Sequence, residues 1–149
     1  MPIVKGCLLP DELLYDVESQ LWYRPLADGI VEIGMTAVAL AMAAALVAVT
    51  PKRPQRRIEK GEACAVVETG KTVSAARIAL SGFVERSNEA LLEEPWRAAR
   101  DPYGEGWLVA VRPDDWAAAK TALIPGEAVA KPYAAKMRRE KFAGCAGEA

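Results

Sequence analysis

Two strand-like runs that meet at a short turn constrain this chain more than any other feature. Residues 63–68 and 73–80 are rich in alanine and valine, and only Thr69-Gly-Lys-Thr72 separates them. Antiparallel strands can be joined by such a short connection, whereas parallel strands need a crossover of a dozen or more residues. The pattern predicts a β-hairpin with Lys71 at its exposed tip. Gly70 is expected to supply a positive φ in the turn.

The tripeptide Gly70-Lys71-Thr72 is also the end of the phosphate-binding loop of nucleotide hydrolases, G-x-x-x-x-G-K-[ST]. That motif requires a glycine where Ala65 stands, and a helix must begin directly after it. The residues before the tripeptide are strand-like, and Glu68 would bring negative charge to the phosphates. A nucleotide hydrolase is therefore a weak alternative, and the hairpin is favoured.

Short strand-like segments and turns follow one another along the rest of the chain. An Asp28-Gly29 pair is typical of a hairpin turn, and Thr36 and Asn88 stand where helix N-caps are expected. The predicted elements are strands near 21–23, 30–34, 46–49, 83–86 and 107–112, and helices after Thr36, at 89–93 and at 131–142. This order predicts a mainly β protein with peripheral short helices and a C-terminal helix, not alternating βα units.

The run from Ile33 to Val49 has no charged residue and precedes the basic segment 52–57, so a membrane span is an alternative. The run is at the short limit for a span and consists mostly of alanine. A strand, a buried alanine-rich helix and another strand are expected instead. No secretion signal opens the sequence, which predicts a cytoplasmic location.

Composition excludes several kinds of site. The chain contains no histidine, which removes the commonest general base and metal ligand, and its cysteines form no CxxC pair, so no metal site is expected. The 19 basic and 20 acidic residues indicate no general polyanion partner. The basic segment 52–57 has no interleaved aromatic residues, so a docking surface for a partner enzyme is a better functional interpretation than nucleic-acid binding. A solvated loop is the simplest alternative.

Three segments resemble the H protein of the glycine cleavage system. They are Val67-Glu-Thr-Gly-Lys71, residues 81–91 (SGFVERSNEAL) and residues 101–108 (DPYGEGWL). The resemblance covers about residues 21–116. It implies a barrel-sandwich hybrid fold of two antiparallel sheets, in one domain spanning 1–149 with both ends packed on the core. It also implies that lipoate is attached to Lys71 by an amide. Biotin carriers share this fold but resemble a Met-Lys-Met tip, and Gly70 and Thr72 occupy those positions.

The two ends of the chain resemble a particular group of such carriers. Residues 5–10 (KGCLLP) and 142–145 (FAGC) look like the lipoate-binding proteins of sulfur-oxidising bacteria. Ser74 is followed by Ala75-Ala76-Arg77, where H proteins often have an acidic residue. The resemblance implies a non-enzymatic carrier that holds sulfur intermediates for a cytoplasmic heterodisulfide-reductase-like complex. The alternatives are an H protein that carries an aminomethyl group and an unmodified binding or regulatory module.

The resemblance also suggests roles for single residues. Glu68, Thr69, Gly70 and Thr72 are expected to present Lys71 to a lipoate ligase or another attachment enzyme, and dihydrolipoamide dehydrogenase is a further candidate partner.

The cysteines are interpreted separately. Cys7 and Cys145 are interpreted either as a redox thiol pair, which meets the arm or forms a reversible disulfide, or as two unrelated residues on the chain ends. Cys64 is expected to be a buried small side chain.

Overall fold

A computed structural model of the protein describes residues 3–43 and 45–145. The strands are β1 Ile3–Val4, β2 Cys7–Leu8, β3 Leu14–Asp16, β4 Leu21–Pro25, β5 Val31–Met35, β6 Leu46–Pro51, β7 Arg56–Ile58, β8 Ala63–Thr69, β9 Val73–Arg77, β10 Gly82–Ser87, β11 Trp107–Pro113 and β12 Ile124–Pro125. The α-helices are α1 Ala37–Met42, α2 Ala90–Glu93, α3 Trp96–Arg100, α4 Trp116–Ala119 and α5 Ala130–Arg139. Short 3₁₀ turns occupy Lys120–Ala122 and Gly126–Ala128.

Two antiparallel sheets form the body of the protein. The larger has the strand order β12-β3-β4-β5-β11-β10-β7, and the smaller, here called the carrier sheet, has the order β6-β8-β9. A separate ribbon pairs β1 with β2. Ile33 and Val111 of the larger sheet and Cys64 and Val67 of the carrier sheet are buried in one apolar core. The predicted mainly β class, with short helices and a C-terminal helix, is confirmed.

A second apolar cluster joins the larger sheet to α1, α5 and the N-terminal segment. Trp22 and Tyr133 are fully buried in it. Gly34 lies against the Trp22 indole so closely that a Cβ there would come within 2.4 Å of the ring. The Tyr133 hydroxyl lies 2.6 Å from the Thr36 hydroxyl, which also accepts the Ala39 amide and caps α1 as predicted. These contacts hold α1 in a fixed position beside the sheets.

The uncharged run from Ile33 onward becomes part of β5, then α1 and β6, as the strand–helix–strand interpretation predicted. Within the described residues, no helix is long and apolar enough to cross a membrane. The lead-in before residue 18 is extended, with β2 and β3 in it.

The predicted cap at Asn88 is wrong. Its buried side-chain amide donates to the carbonyls of Glu105 and Trp107, both at 2.7 Å. Glu89 precedes α2 and makes no side-chain cap. The carbonyl of Glu105, in the turn before β11, and that of Trp107, the first residue of β11, satisfy the amide group, so Asn88 joins distant segments instead of capping its own helix.

Candidate functional site

The hairpin between β8 and β9 places one lysine at the end of the carrier sheet. Glu68 pairs with Val73, so the residues from Thr69 to Thr72 form the turn. The Thr69 amide donates to the Thr72 carbonyl at 2.8 Å and closes it. Lys71 is exposed at the tip, as the sequence predicted.

The Thr69 side chain shapes this turn. Its hydroxyl oxygen accepts the amides of Lys71 and Thr72, each at 3.2 Å, while the residue itself is buried. The Gly70 amide donates to the Ala45 carbonyl at 3.1 Å, which ties the tip to the segment before β6. The backbone on both sides of the lysine is therefore held in place.

The prediction that Gly70 would have a positive φ is wrong, because Gly70 is not among the glycines with φ in that region. The Thr69 hydroxyl bonds the turn amides, so the left-handed conformation is not needed. The space around Gly70 is open, since a Cβ there would meet no atom within 4 Å. Its smallness leaves the approach to Lys71 unobstructed.

The surroundings of Lys71 suit a covalent attachment point. Among the described residues, no carboxylate forms an ion pair with its amine. Glu68 and Thr72 are also exposed, whereas Thr69 is buried beneath the turn. The structure thus brings the predicted recognition residues together around an accessible primary amine.

A cleft of about 490 Å³ opens beside the lysine. The hairpin tip contributes Thr69, Lys71 and Thr72 to its lining, and α1 contributes Leu40 and Met42. Its remaining lining residues are Glu18, Ser19, Gln20, Leu21, Met35, Ala39, Ala43, Leu46, Val67, Ser74, Ala75, Ala76 and Arg77. A flexible group on Lys71 would therefore have a partly apolar cleft next to its anchor.

Sequence reasoning missed this cleft. Its lining comes from three separate segments, within residues 18–21, 35–46 and 67–77, and no local pattern marks residues such as Gln20 or Met42 as neighbours of Lys71. The absence of charged residues from α1 is visible in the sequence, but it predicted a buried helix and not a helix that lines a cleft.

Comparisons with known proteins agree with this geometry. The sequence model of the family described as Glycine cleavage H-protein matches residues 13–136. The chain is 32% identical over 136 residues to the Glycine cleavage system H protein 2 of Aquifex aeolicus, covering 91% of this chain and 84% of that protein. It is 42% identical over 107 residues to the H protein of Methylococcus capsulatus, covering 72% and 83%.

A solved structure supports the same assignment. The crystal structure of a glycine cleavage system H protein from Mycobacterium marinum superimposes with a TM-score of 0.71 at 33% identity, covering 85% of this chain and 97% of that one. The chain belongs to the glycine cleavage H-protein family. Its fold is the barrel-sandwich hybrid that the resemblance implied.

Membership fixes the cofactor and the general role. Proteins of the H-protein family are non-catalytic carriers with lipoate attached covalently to a lysine. The match to 13–136 is longer than the resemblance at 21–116. The division of residues 1–149 into one domain with packed ends stays a prediction.

The three cysteines of this family member lie away from the cleft. Cys7 and Cys145 are joined by a disulfide that links β2 to the C-terminal segment, and neither lines the cleft beside Lys71. Cys7 is fully buried and Cys145 half-buried. Reversible exchange of this pair, and contact with a lipoyl arm, stay predictions. Cys64 is buried, and the loss of hydration raises the pKa of its thiol to about 12.

Proposed function

We propose that this protein is a lipoyl carrier whose lipoate is joined by an amide to the Nζ of Lys71. The observation that carries the proposal is the accessible amine of Lys71 on a turn whose backbone is hydrogen-bonded by Thr69. Lipoate, when bound, supplies a dithiol–disulfide pair that takes up and releases a group by thiol–disulfide chemistry. The protein's part is to hold the anchor at the end of the carrier sheet while the side chain swings.

The residues around Lys71 have the recognition role. Glu68 offers an exposed carboxylate on the outer face of β8, and Gly70 leaves the approach open. Thr69 and Thr72 set the direction in which the lysine leaves the turn. A lipoate ligase or other attachment enzyme is the partner that reads these residues, and dihydrolipoamide dehydrogenase is a candidate partner for the finished arm.

The cargo best supported by the relatives is an aminomethyl group. Proteins from Aquifex aeolicus and Methylococcus capsulatus that match most of this chain are named as glycine cleavage system H proteins. An exposed arm that can enter or leave a neighbouring cleft suits a carrier that serves several enzymes in turn. The proposal is that this chain carries that group between the components of glycine cleavage.

A second cargo, a sulfur intermediate, is favoured by the charges of the cleft. A protonated aminomethyl group calls for a carboxylate, and Glu18 supplies the one carboxylate among the described residues that line the cleft. Arg139 holds Glu18 at 2.8 Å, and Lys136 lies 3.8 Å from it. Met35 and Met42 make part of the remaining lining apolar and polarisable, which suits an uncharged sulfur group.

The relatives of this chain also support a sulfur intermediate as the cargo. The matches include H proteins separately numbered 2, 3 and 5 from the single organism Aquifex aeolicus. The matches to the Aquifex proteins numbered 2 and 5 span 91% and 88% of this chain, whereas the match to the Methylococcus protein spans 72%. On this alternative, the partner is a heterodisulfide-reductase-like complex.

Either role is proposed for the cytoplasm, although disulfides such as Cys7–Cys145 are uncommon there.

Lys71→Arg tests the attachment site. It keeps the positive charge but cannot form the amide, so lipoylation in the host is expected to be lost completely. Lys60→Arg is the matched control, because Lys60 is also an exposed lysine in a turn and should not affect lipoylation. The intact mass of each variant shows whether it carries a lipoyl group. A lipoylated Lys71→Arg protein would contradict the proposal.

A further inference from the structure

A second cavity, here called the basic groove, lies at the far end of the carrier sheet from Lys71. Its volume is about 490 Å³. It is lined by Pro51, Arg53, Pro54, Arg56, Ser87, Glu89 and Leu92. The groove shares no residue with the cleft beside the lysine. It therefore offers a separate place for a partner to bind.

The loop that forms one side of the groove is held by hydrogen bonds at both ends. The Lys52 amide donates to the Cys64 carbonyl, and the Gln55 amide donates to the Val84 carbonyl, both at 2.8 Å. The Ser87 hydroxyl donates to the Lys52 carbonyl. Its arginines are therefore presented from a fixed backbone, which reduces the entropy lost when a ligand binds.

Two exposed arginines outnumber the one carboxylate, that of Glu89, among the described residues that line the groove. Among the described residues, Arg53 and Arg56 form no ion pair, whereas the adjacent Arg57 is bound by Glu59 at 2.7 Å and by Asp114. Side chains alternate along a strand, so Arg56 and Arg57 of β7 point to opposite faces. The whole chain has a formal net charge of −1, so the local excess of cations does not follow from its overall composition.

The rest of the lining favours a peptide over a nucleic acid. Leu92 is 56% exposed, and Pro51 and Pro54 add apolar surface. Among the described residues that line the groove, none is an aromatic side chain on which a base could stack. Two cations beside apolar surface complement a segment that has both carboxylates and an aliphatic side chain.

The position of the groove suits an anchoring contact. Leu46 pairs with Thr69 near the tip, and Pro51 pairs with Ala65 near the groove. The four residue-to-residue steps from Ala65 to Thr69 on β8 correspond to about 13 Å of strand. An enzyme bound at the groove would be one strand length from the tip and would leave Lys71 free to move.

We infer that the basic groove binds an acidic, leucine-bearing segment of an enzyme that acts on the lipoyl group. The identity of that enzyme class rests on the proposed function. The complementarity of the groove for such a segment does not, because it depends on the groove's own lining, chiefly Arg53, Arg56 and Leu92.

The first test uses the full-length, disulfide-bonded and lipoylated protein with a hexapeptide of alternating glutamate and leucine. Amide chemical shifts in residues 51–56 and 87–92 should change on titration. Arg53→Glu/Arg56→Glu should weaken binding about tenfold or more, since two attractive charge pairs become repulsive. Lys131→Glu/Arg138→Glu makes the same change of charge on exposed positions of α5 and should leave the affinity within about twofold.

Some results would overturn the inference. These are absent shifts, shifts centred on α5, or equal losses in the two double variants. Tighter binding of a single-stranded oligonucleotide than of the peptide would also overturn it. Lys71→Arg should bind the peptide normally, so a protein that proves to be unlipoylated can still be tested for the groove.

The second test identifies the partner in the host. A photo-cross-linking benzoylphenylalanine replaces Glu89, an exposed groove residue that the binding does not depend on, and Ala99, an exposed position on α3, is the control site. The expected product joins position 89 to an acidic segment of an enzyme that uses lipoyl substrates. Cross-links to nucleic acid, to a segment without acidic residues, or equally from position 99 would contradict the inference, as would no cross-link at all.

Discussion

At the scale of single residues, Thr69 does more to shape the lysine tip than the glycine beside it. One hydroxyl accepts two amides, those of Lys71 and Thr72, and the residue is buried beneath the turn. Residue types alone indicated a tight turn with an exposed lysine. They did not show that a threonine would make the bonds, because this depends on the direction of its side chain.

Thr69→Val removes this acceptor while keeping the shape of the side chain. The tip amides then have only water as a partner, at a cost of about 1 kcal/mol. Hydrogen exchange at Lys71 and Thr72 should become about fivefold faster, and lipoylation should slow. Thr72→Val is the control, because that hydroxyl makes only a 3.4 Å contact with the Val73 carbonyl. Equal exchange rates in the two variants would show that Thr69 does not hold the tip.

The buried Cys64 thiol predicts a loss of stability at alkaline pH. Burial raises its pKa from 9.0 to about 12, so the unfolded chain loses this proton first as the pH rises. Its contribution is complete below pH 9 and is lost between pH 9 and 12. The free energy of unfolding should fall by about 1 kcal/mol from pH 9 to 10 through this group. Denaturant titrations should show a shallower fall for Cys64→Ala, and an unchanged slope would contradict the assignment.

At the scale of elements, α1 connects the packing of the protein to its cleft. Val38 is buried in the cluster around Trp22, while Leu40 and Met42 line the cleft. Strand and helix positions could be predicted from alternation, turns and the Thr36 cap. The cleft could not, because its lining combines residues of α1 with residues of β4, β8 and β9, which only the fold brings together.

Thr36→Val should loosen this element. It removes the cap of α1 and a partner of the buried Tyr133 hydroxyl, for a loss of about 2 kcal/mol in the free energy of unfolding. Tyr133 keeps its bond to Gln20, which limits the loss. Thr50→Val, at an exposed position of β6, should change stability little. The denaturant midpoints of Thr36→Val and Thr50→Val are compared, and similar midpoints would rule out a special role for Thr36.

At the scale of the whole molecule, the disulfide joins the two ends of the chain. Cys7 and Cys145 are separated by 138 positions, and the Cys145 amide also donates to the Lys5 carbonyl at 2.9 Å. The disulfide pairing could not be predicted from three cysteines that lie far apart in the sequence. Only the packing of α5 beside β1 brings the two ends together. The resemblance drew attention to the two ends of the chain, but the proximity of Cys7 and Cys145 could be seen only in the folded structure.

Cys145→Ser should reveal how much this closure contributes. Opening a loop of this length costs about 5 kcal/mol in the chain-entropy description. The guanidinium midpoint should fall in Cys145→Ser and should no longer respond to reductant. The native protein should respond, and its oxidised form should be lighter by the two thiol hydrogens. A native midpoint that is insensitive to full reduction would contradict a stabilising disulfide.

The central claim, that Lys71 carries lipoate, is tested most directly by peptide mass analysis of the protein purified from its own host. We expect a lipoyl group on the peptide that contains Lys71. An aminomethyl adduct on it would support glycine cleavage, and bound sulfur would support the second cargo. An unmodified Lys71 in cells that lipoylate their other carriers would contradict the account.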